Sequence, residues 1–197
     1  EGARAAARLR LGIPKDARVL GFVGRLVRDK GVLELADAWS TLRLAHHDVH
    51  LLIVGPVEQR DAVPDDVLEL LQGDRRAHFT GFTRDTPALY AAMDVVALPT
   101  YREGFPNVPL EASAMGLPVV ATRVTGCVDA VVDGVTGTLV PVRDAAALAT
   151  AIHGYLGDPE RRRAHGRAGR ARVLERYDPD SIAEAMHALY LDLLEHT

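Results

Sequence analysis

Short apolar runs and helix-period stripes alternate along the whole chain. Short, mainly apolar runs at 19–23, 49–54, 77–80, 94–98 and 118–122, with a shorter one at 137–140, read as strands. Most lack the apolar–polar alternation of a half-exposed strand, so both faces of each are expected to be covered. They recur about 20 to 30 residues apart, the spacing of parallel strands joined by helical crossovers. Between them, Val32, Leu35, Ala36 and Trp39 form one stripe that Leu42 and Leu44 extend. A short helix is predicted over 86–93 with Pro87 near its start, and Asp144 can cap a helix carrying Leu148, Ile152, Tyr155 and Leu156. Asp158-Pro159 and Asp178-Pro179 each read as an N-cap followed by proline at the first helical position. Ile182, Met186, Leu189 and Leu193 give the last helix one apolar face, and residues 1–16 read as a short helix with a turn at Gly12-Ile13-Pro14. With no repeat and no long linker, the pattern predicts one α/β domain over 1–197: a mainly parallel, doubly wound sheet of about six strands flanked by helices.

Composition narrows the class. A chain of 197 residues with 48% hydrophobic and 25% charged positions is ordinary globular material, and a formal net charge of -4 argues against a nucleic-acid binder. Cys127 is the single cysteine, so no internal disulfide is possible and a reducing, cytoplasmic setting is expected. No apolar run approaches the roughly 20 residues that span a bilayer, and Glu1-Gly2-Ala3-Arg4 does not open like a signal peptide. Because the first residue is not Met, the chain is expected to be an excised or stand-alone piece of something longer.

Ligands of doubly wound sheets sit at the carboxyl ends of the strands, near helix N-termini. After the first strand comes Gly24-Arg25-Leu26-Val27-Arg28-Asp29-Lys30-Gly31, leading into a helix. Arg25 offers a planar fork and Lys30 a point charge where free N–H groups already favour an anion, a pairing suited to a diphosphate. The plainer alternative is a solvated loop. Lysine is rare here, with only Lys15 and Lys30 among the basic residues, which makes one at this position less ordinary. The turn is not a Walker A loop and lacks the third glycine of a dinucleotide fingerprint. After the fourth strand, Glu103-Gly104-Phe105-Pro106-Asn107-Val108-Pro109-Leu110-Glu111 sets a loop glutamate and a helix glutamate to face one pocket from two heights. Alone, these two could equally be a helix-start acid and a solvent-facing helix residue.

Gly-Arg-x4-Lys-Gly, then Glu-Gly-Phe-Pro-Asn-Val-x-Leu-Glu-Ala, then Gly-Leu-Pro-Val-Val-Ala-Thr together resemble the C-terminal, donor-binding half of family 4 retaining glycosyltransferases. Gly126, Asp133-Gly134, Val140-Pro141 and Asp158-Pro159 extend the resemblance over nearly the whole chain. It implies a Rossmann-like domain, one half of a GT-B fold. In that resemblance Arg25, Lys30 and Glu103 are the catalytic residues: the two bases grip the donor diphosphate and Glu103 accepts from the donor sugar. Gly104, Phe105, Asn107 and Val108 contact sugar or phosphate, and Glu111 takes the ribose hydroxyls. Gly24 belongs to the diphosphate turn, Gly55 borders the nucleotide, and the loop with Phe82 and Thr83 holds the base through its backbone. The stretch 98–103 most resembles enzymes that build capsule, lipopolysaccharide or lipid-linked oligosaccharides from UDP-sugars.

The implied partners are a nucleoside-diphosphate sugar, UDP-sugar favoured, and an N-terminal acceptor domain that is absent from this chain. The isolated chain is therefore expected to bind and not to turn over. No metal and no cofactor are expected, and no nucleic acid. Pro109 and Pro56 depart from the family's usual spelling beside the phosphate turn and the nucleotide loop. The rivals are a non-catalytic nucleotide-sugar-binding or regulatory module and, ranked lower, a nucleotide-sugar 2-epimerase-like domain.

Other features are better read as structural. Asp178-Pro179-Asp180 spells a metal motif but opens a helix. His46, His47 and His50 sit where a helix gives way to a strand, without further ligands at metal spacing. Arg161, Arg162, Arg163, Arg167, Arg170, Arg172 and Arg176 make one helix basic, expected as a solvated face, with peripheral contact to the inner face of the membrane as the alternative. Cys127 is expected as a small residue in a tight place, and Trp39 and Tyr90 as core.

Overall fold

The computed structural model describes residues 2–195. Strands β1 (Arg18–Val23), β2 (Val49–Val54), β3 (Ala77–Phe79), β4 (Val95–Leu98), β5 (Val119–Thr122) and β6 (Gly137–Val140) make one sheet in the order β3-β2-β1-β4-β5-β6. Every neighbouring pair is parallel. Helices α1 (Gly2–Leu11), α2 (Val32–Ala45), α3 (Asp65–Gln72), α4 (Thr86–Ala92), α5 (Asn107–Ala114), α6 (Thr125–Ala130), α7 (Ala145–Gly157), α8 (Pro159–Arg176) and α9 (Pro179–Glu195) complete the chain. The six predicted strands are all present, within a residue of the expected ends; α3 is an element the apolar pattern did not announce.

Successive strand residues serve opposite layers, as the pleat requires. Leu20 and Phe22 of β1 and Val95 and Ala97 of β4 pack with α2, α3 and α7, including the fully buried Trp39. Val19 and Val23, with Val96 and Leu98, pack under α1, α4, α5 and α6. Asp144 and Asp158 cap α7 and α8 as expected, accepting from Ala147 N and Arg161 N.

The basic helix departs from the expected solvated face. Arg161 lies 4.7 Å over the Tyr155 ring, Arg162 donates to the Tyr155 carbonyl at 3.0 Å, and Arg172 donates to that of Asp129 at 2.8 Å. Three of the seven arginines thus fasten α8 to the body, and Arg163, Arg167, Arg170 and Arg176 remain exposed. The predicted stripe of α9 is helical, but Ile182, Met186, Leu189 and Leu193 are exposed. Periodicity fixes which residues share a face, not what covers it. Among the described residues no helix is long and apolar enough to cross a membrane.

The amino ends of the strands are locked by a buried ionic knot. Arg8 of α1 is 2% exposed. It donates to the carbonyls of Ala92, Lys15 and Ala17 and to Asp94 Oδ2 at 2.9 Å. Asp94, just ahead of β4, also accepts from Val19 N and from Arg4.

Two histidine pairs lie near the same end. His50 Nδ1 is 2.8 Å from His78 Nε2, and His46 Nε2 is 2.9 Å from His153 Nδ1. Burial, first, and then neighbouring cations hold His46 and His50 below the ordinary 6.5, and burial does the same for His78. Below pH 6.5 the unfolded chain therefore binds protons that the folded chain refuses, so stability is full above that pH and falls as pH is lowered. The urea midpoint is expected to drop between about pH 7 and about pH 5, and His50→Gln to flatten that slope. An unchanged slope in the variant would place the pH dependence elsewhere.

Candidate functional site

The strand order reverses direction between β1 and β4, so the loops that follow them diverge and leave a crevice at their carboxyl ends. Arg25, Asp29 and Lys30 from the first loop and Arg102, Glu103 and Gly104 from the second enclose a cavity of about 490 Å³ there.

Backbone details bring these loops together. Gly31 has φ 69°, and a Cβ on it would lie 2.0 Å from the Pro99 carbonyl oxygen. Only glycine lets the turn that carries Lys30 rest on the end of β4. The α2 helix starts at the next residue, so its amino end follows directly on the turn that lines the cavity. Tyr101 N donates to the Asp29 carbonyl at 2.8 Å, and the Thr100 hydroxyl lies 3.0 Å from the same oxygen. Tyr101 in turn donates its hydroxyl to Glu34 at 2.8 Å. Burial and Glu34 push that hydroxyl up to about 12, so it stays a donor at neutral pH. On the far side, the Glu103 carbonyl accepts from Gly126 N at 3.2 Å.

Each cation of the cavity meets a carboxylate. Lys30 Nζ pairs with Glu103 Oε1, with side chains 21% and 15% exposed. Arg25 donates to Glu58 Oε2 at 2.8 Å, and Arg102 Nε to Asp29 Oδ2 at 2.8 Å. The charges cancel, and an entering anion must take over donors that carboxylates already hold. The exposed arginine pairs are weakly held; the sheltered lysine pair holds more firmly.

Of the residues singled out in the sequence, Arg25, Lys30, Glu103 and Gly104 share this cavity. Gly24 N donates to the Val54 carbonyl at 2.9 Å and Gly55 N to that of Gly81 at 3.1 Å, stitching together the loops after β1, β2 and β3. Phe82 and Thr83 line a second cavity of about 330 Å³ with Arg10, Thr80 and Asp85. Phe105 tilts against Tyr177, ring centroids 5.7 Å apart, while Asn107 and Val108 open α5. Glu111 stands outside the linings of both cavities, with Oε2 accepting from the Tyr90 hydroxyl at 2.9 Å. Burial pushes the Cys127 thiol up to about 12, so it is a neutral packed group and not an acidified one.

Sequence reading missed Asp29, Arg102 and Thr100, although all three stand inside quoted motifs. Glu58 left no signal, being 33 residues from the arginine it pairs with.

A parallel sheet with a cavity at the point where its strand order reverses defines a doubly wound α/β domain, a class whose ligand sites lie at that end of the sheet. Residues 17–158 match the family described as glycosyl transferases group 1, and the chain belongs to that family. It is 34% identical to the capsular polysaccharide biosynthesis glycosyltransferase CapM of Staphylococcus aureus, over 92% of this chain and 48% of that protein. The chain thus spans about half the length of the curated relatives it matches. The C-terminal domain of a group 1 family protein, LpcC from Francisella tularensis, is 26% identical with a TM-score of 0.79, over 89% of this chain and 93% of that one. HepE of Anabaena, solved in complex with UDP-glucose, is 28% identical with a TM-score of 0.84, over 95% of this chain and 53% of that one. Its neighbours therefore make the fold one half of a GT-B glycosyltransferase, in agreement with the resemblance read from the motifs.

Proposed function

We propose that this chain is the donor-binding half of a retaining glycosyltransferase, and that its cavity takes the diphosphate of a nucleoside-diphosphate sugar, UDP favoured. One observation carries the reading: Lys30 and Glu103, 73 residues apart, meet at the switch point of the sheet. That HepE is solved with UDP-glucose supports the choice of ligand class and of base.

In this reading the diphosphate displaces Glu103 from Lys30 and Glu58 from Arg25. Both cations then offset the negative charge that grows on the leaving oxygen as the bond to the sugar's anomeric carbon breaks. Glu103, released, accepts hydrogen bonds from sugar hydroxyls; Glu111 accepts from the ribose; Gly55 and the Phe82–Thr83 backbone border nucleotide and base. The acceptor hydroxyl forms its new bond on the face that the diphosphate leaves, and a segment outside these residues presents it. The 197 residues alone then bind without turning over. The similarity to CapM favours a capsular, lipopolysaccharide or lipid-linked glycan as product. We place the protein in the cytoplasm, with the exposed Arg163, Arg167 and Arg170 available to an anionic membrane surface.

Thermal shift with UDP, GDP and ADP, and then with their sugar conjugates, tests the reading. A ligand at about 100 times its dissociation constant stabilises the fold by about 2.7 kcal/mol. A selective shift with UDP and UDP-sugars is expected. A shift with GDP or ADP instead overturns the base assignment, and none with any nucleotide overturns the donor-half reading for this chain.

A further inference from the structure

We propose that Tyr90 is a positioning residue: its buried hydroxyl fixes the Glu111 carboxylate so that the nucleotide meets an already oriented acceptor. The inference rests on the proposed role of Glu111 toward ribose and goes beyond it. Tyr90 sits on α4 and is 1% exposed, part of the core cluster that α1, α4, α5 and α6 form with this face of the sheet. Glu111, by contrast, is an exposed residue on α5. A free glutamate on a helix surface samples many rotamers, and ordering it on binding costs affinity. Here one oxygen is already taken: the Tyr90 hydroxyl donates to Oε2 at 2.9 Å, across 21 residues of sequence.

The direction of that bond follows from the surroundings. Burial, first, and then Glu111 push the Tyr90 hydroxyl above its ordinary value, so at neutral pH it stays protonated and can only donate to an ionised partner. A carboxylate has lone pairs on both oxygens, so one bond to Oε2 leaves Oε1 able to accept from a ligand. The phenol is anchored in the core and cannot follow the glutamate into solvent. It therefore holds one carboxylate oxygen in place before any ligand arrives and narrows the positions open to the other. Packing alone requires only the ring: phenylalanine would fill the same space and would leave Glu111 to solvent, with no buried group stranded.

The test is Tyr90→Phe in the 197-residue chain, with calorimetric titration of UDP, GDP and ADP and of their 2′,3′-dideoxy analogues, following whichever pair binds best. The unmodified chain is expected to prefer the ribonucleotide. In Tyr90→Phe its affinity should fall roughly three- to tenfold while the dideoxy analogue is unaffected, so that the preference contracts. In a Glu111→Ala background the further Tyr90→Phe change should alter nothing. Full preference retained in Tyr90→Phe, or an equal loss for both ligands, overturns the inference and leaves Tyr90 as packing. If the unmodified chain binds both ligands equally, the ribose role of Glu111 fails first and takes this inference with it. Should Tyr90→Phe not fold, the ring-carbon resonance next to the hydroxyl in tyrosine-labelled protein decides. It should move on Glu111→Ala and hold its position when the nucleotide binds; no movement on Glu111→Ala overturns the inference.

Discussion

On the proposed reading, Lys30→Ala is expected to weaken UDP binding by roughly 10- to 100-fold and to leave uridine binding nearly unchanged. The size follows from losing a hydrogen bond to a charged group, worth about 1.5–3 kcal/mol. The same change strands Glu103, whose side chain is 15% exposed, beside the diphosphate it would then repel. Arg25→Ala should cost less, since Arg25 is 56% exposed and its bond to Glu58 leaves it in solvent. Glu103→Ala should act in the opposite sense on UDP alone, because it frees Lys30, and should weaken binding only once a sugar is attached. Calorimetric titration of the three variants with uridine, UDP and UDP-glucose separates these effects. Equal losses for uridine and UDP in Lys30→Ala would remove the diphosphate from this cavity. Weaker UDP binding in Glu103→Ala would show that the lysine–glutamate pair holds Lys30 in place and does not compete with the ligand.

Asp94→Ala destabilises the fold by about 3–5 kcal/mol, the cost of leaving a buried charge without its partner. Asp94 is the shared acceptor for Arg8, for Arg4 and for the backbone of Val19, so its loss strands donors from α1 and β1 together. Burial already works against the Arg8 charge, and the lost partner is the one that offset it. Urea unfolding followed by the fluorescence of Trp39, the single tryptophan and a fully buried one, measures the loss. A loss below about 1 kcal/mol would mean that water takes over the donors. Asp94 stands at the amino end of β4 and the cavity at its carboxyl end, so nucleotide affinity below the unfolding transition should not change.

The sheet was legible because burial on both faces leaves short apolar runs, and their length and regular spacing set them apart from buried helix segments. The β1 and β4 runs and the caps at Asp144 and Asp158 were all read locally, and the fold places them as read; of the loop–helix glutamates, expected to face one pocket, Glu103 lines the cavity and Glu111 stands outside it. The helix at Asp65–Gln72 was missed although Val67, Leu68 and Leu71 share one face on the core, because eight residues give barely two turns over which a period can be read. The arginines of α8 were misjudged for another reason. Composition records charge, but the Tyr155 ring that draws Arg161 inward lies across the turn on the preceding helix, and the Asp129 carbonyl that draws Arg172 inward lies 43 residues away.

What the sequence determined by itself, then, was periodicity, chain reversal and the identity of the residues after each strand, since these depend on neighbours within one or two turns. It determined Lys30 and Glu103 as candidates and Gly31 as the residue that ends the turn. Pairing belonged to the tertiary structure. The strand order β3-β2-β1-β4-β5-β6 sets the loops after β1 and β4 side by side, and only that adjacency lets Lys30 meet Glu103 and Arg102 meet Asp29; the packing of α4 and α5 on one side of the sheet brings Tyr90 to Glu111. The physical reason is range. Backbone preference and hydrophobic period act over a few residues, whereas a hydrogen bond or an ion pair acts over a few ångströms, and the fold alone decides which distant residues come that close.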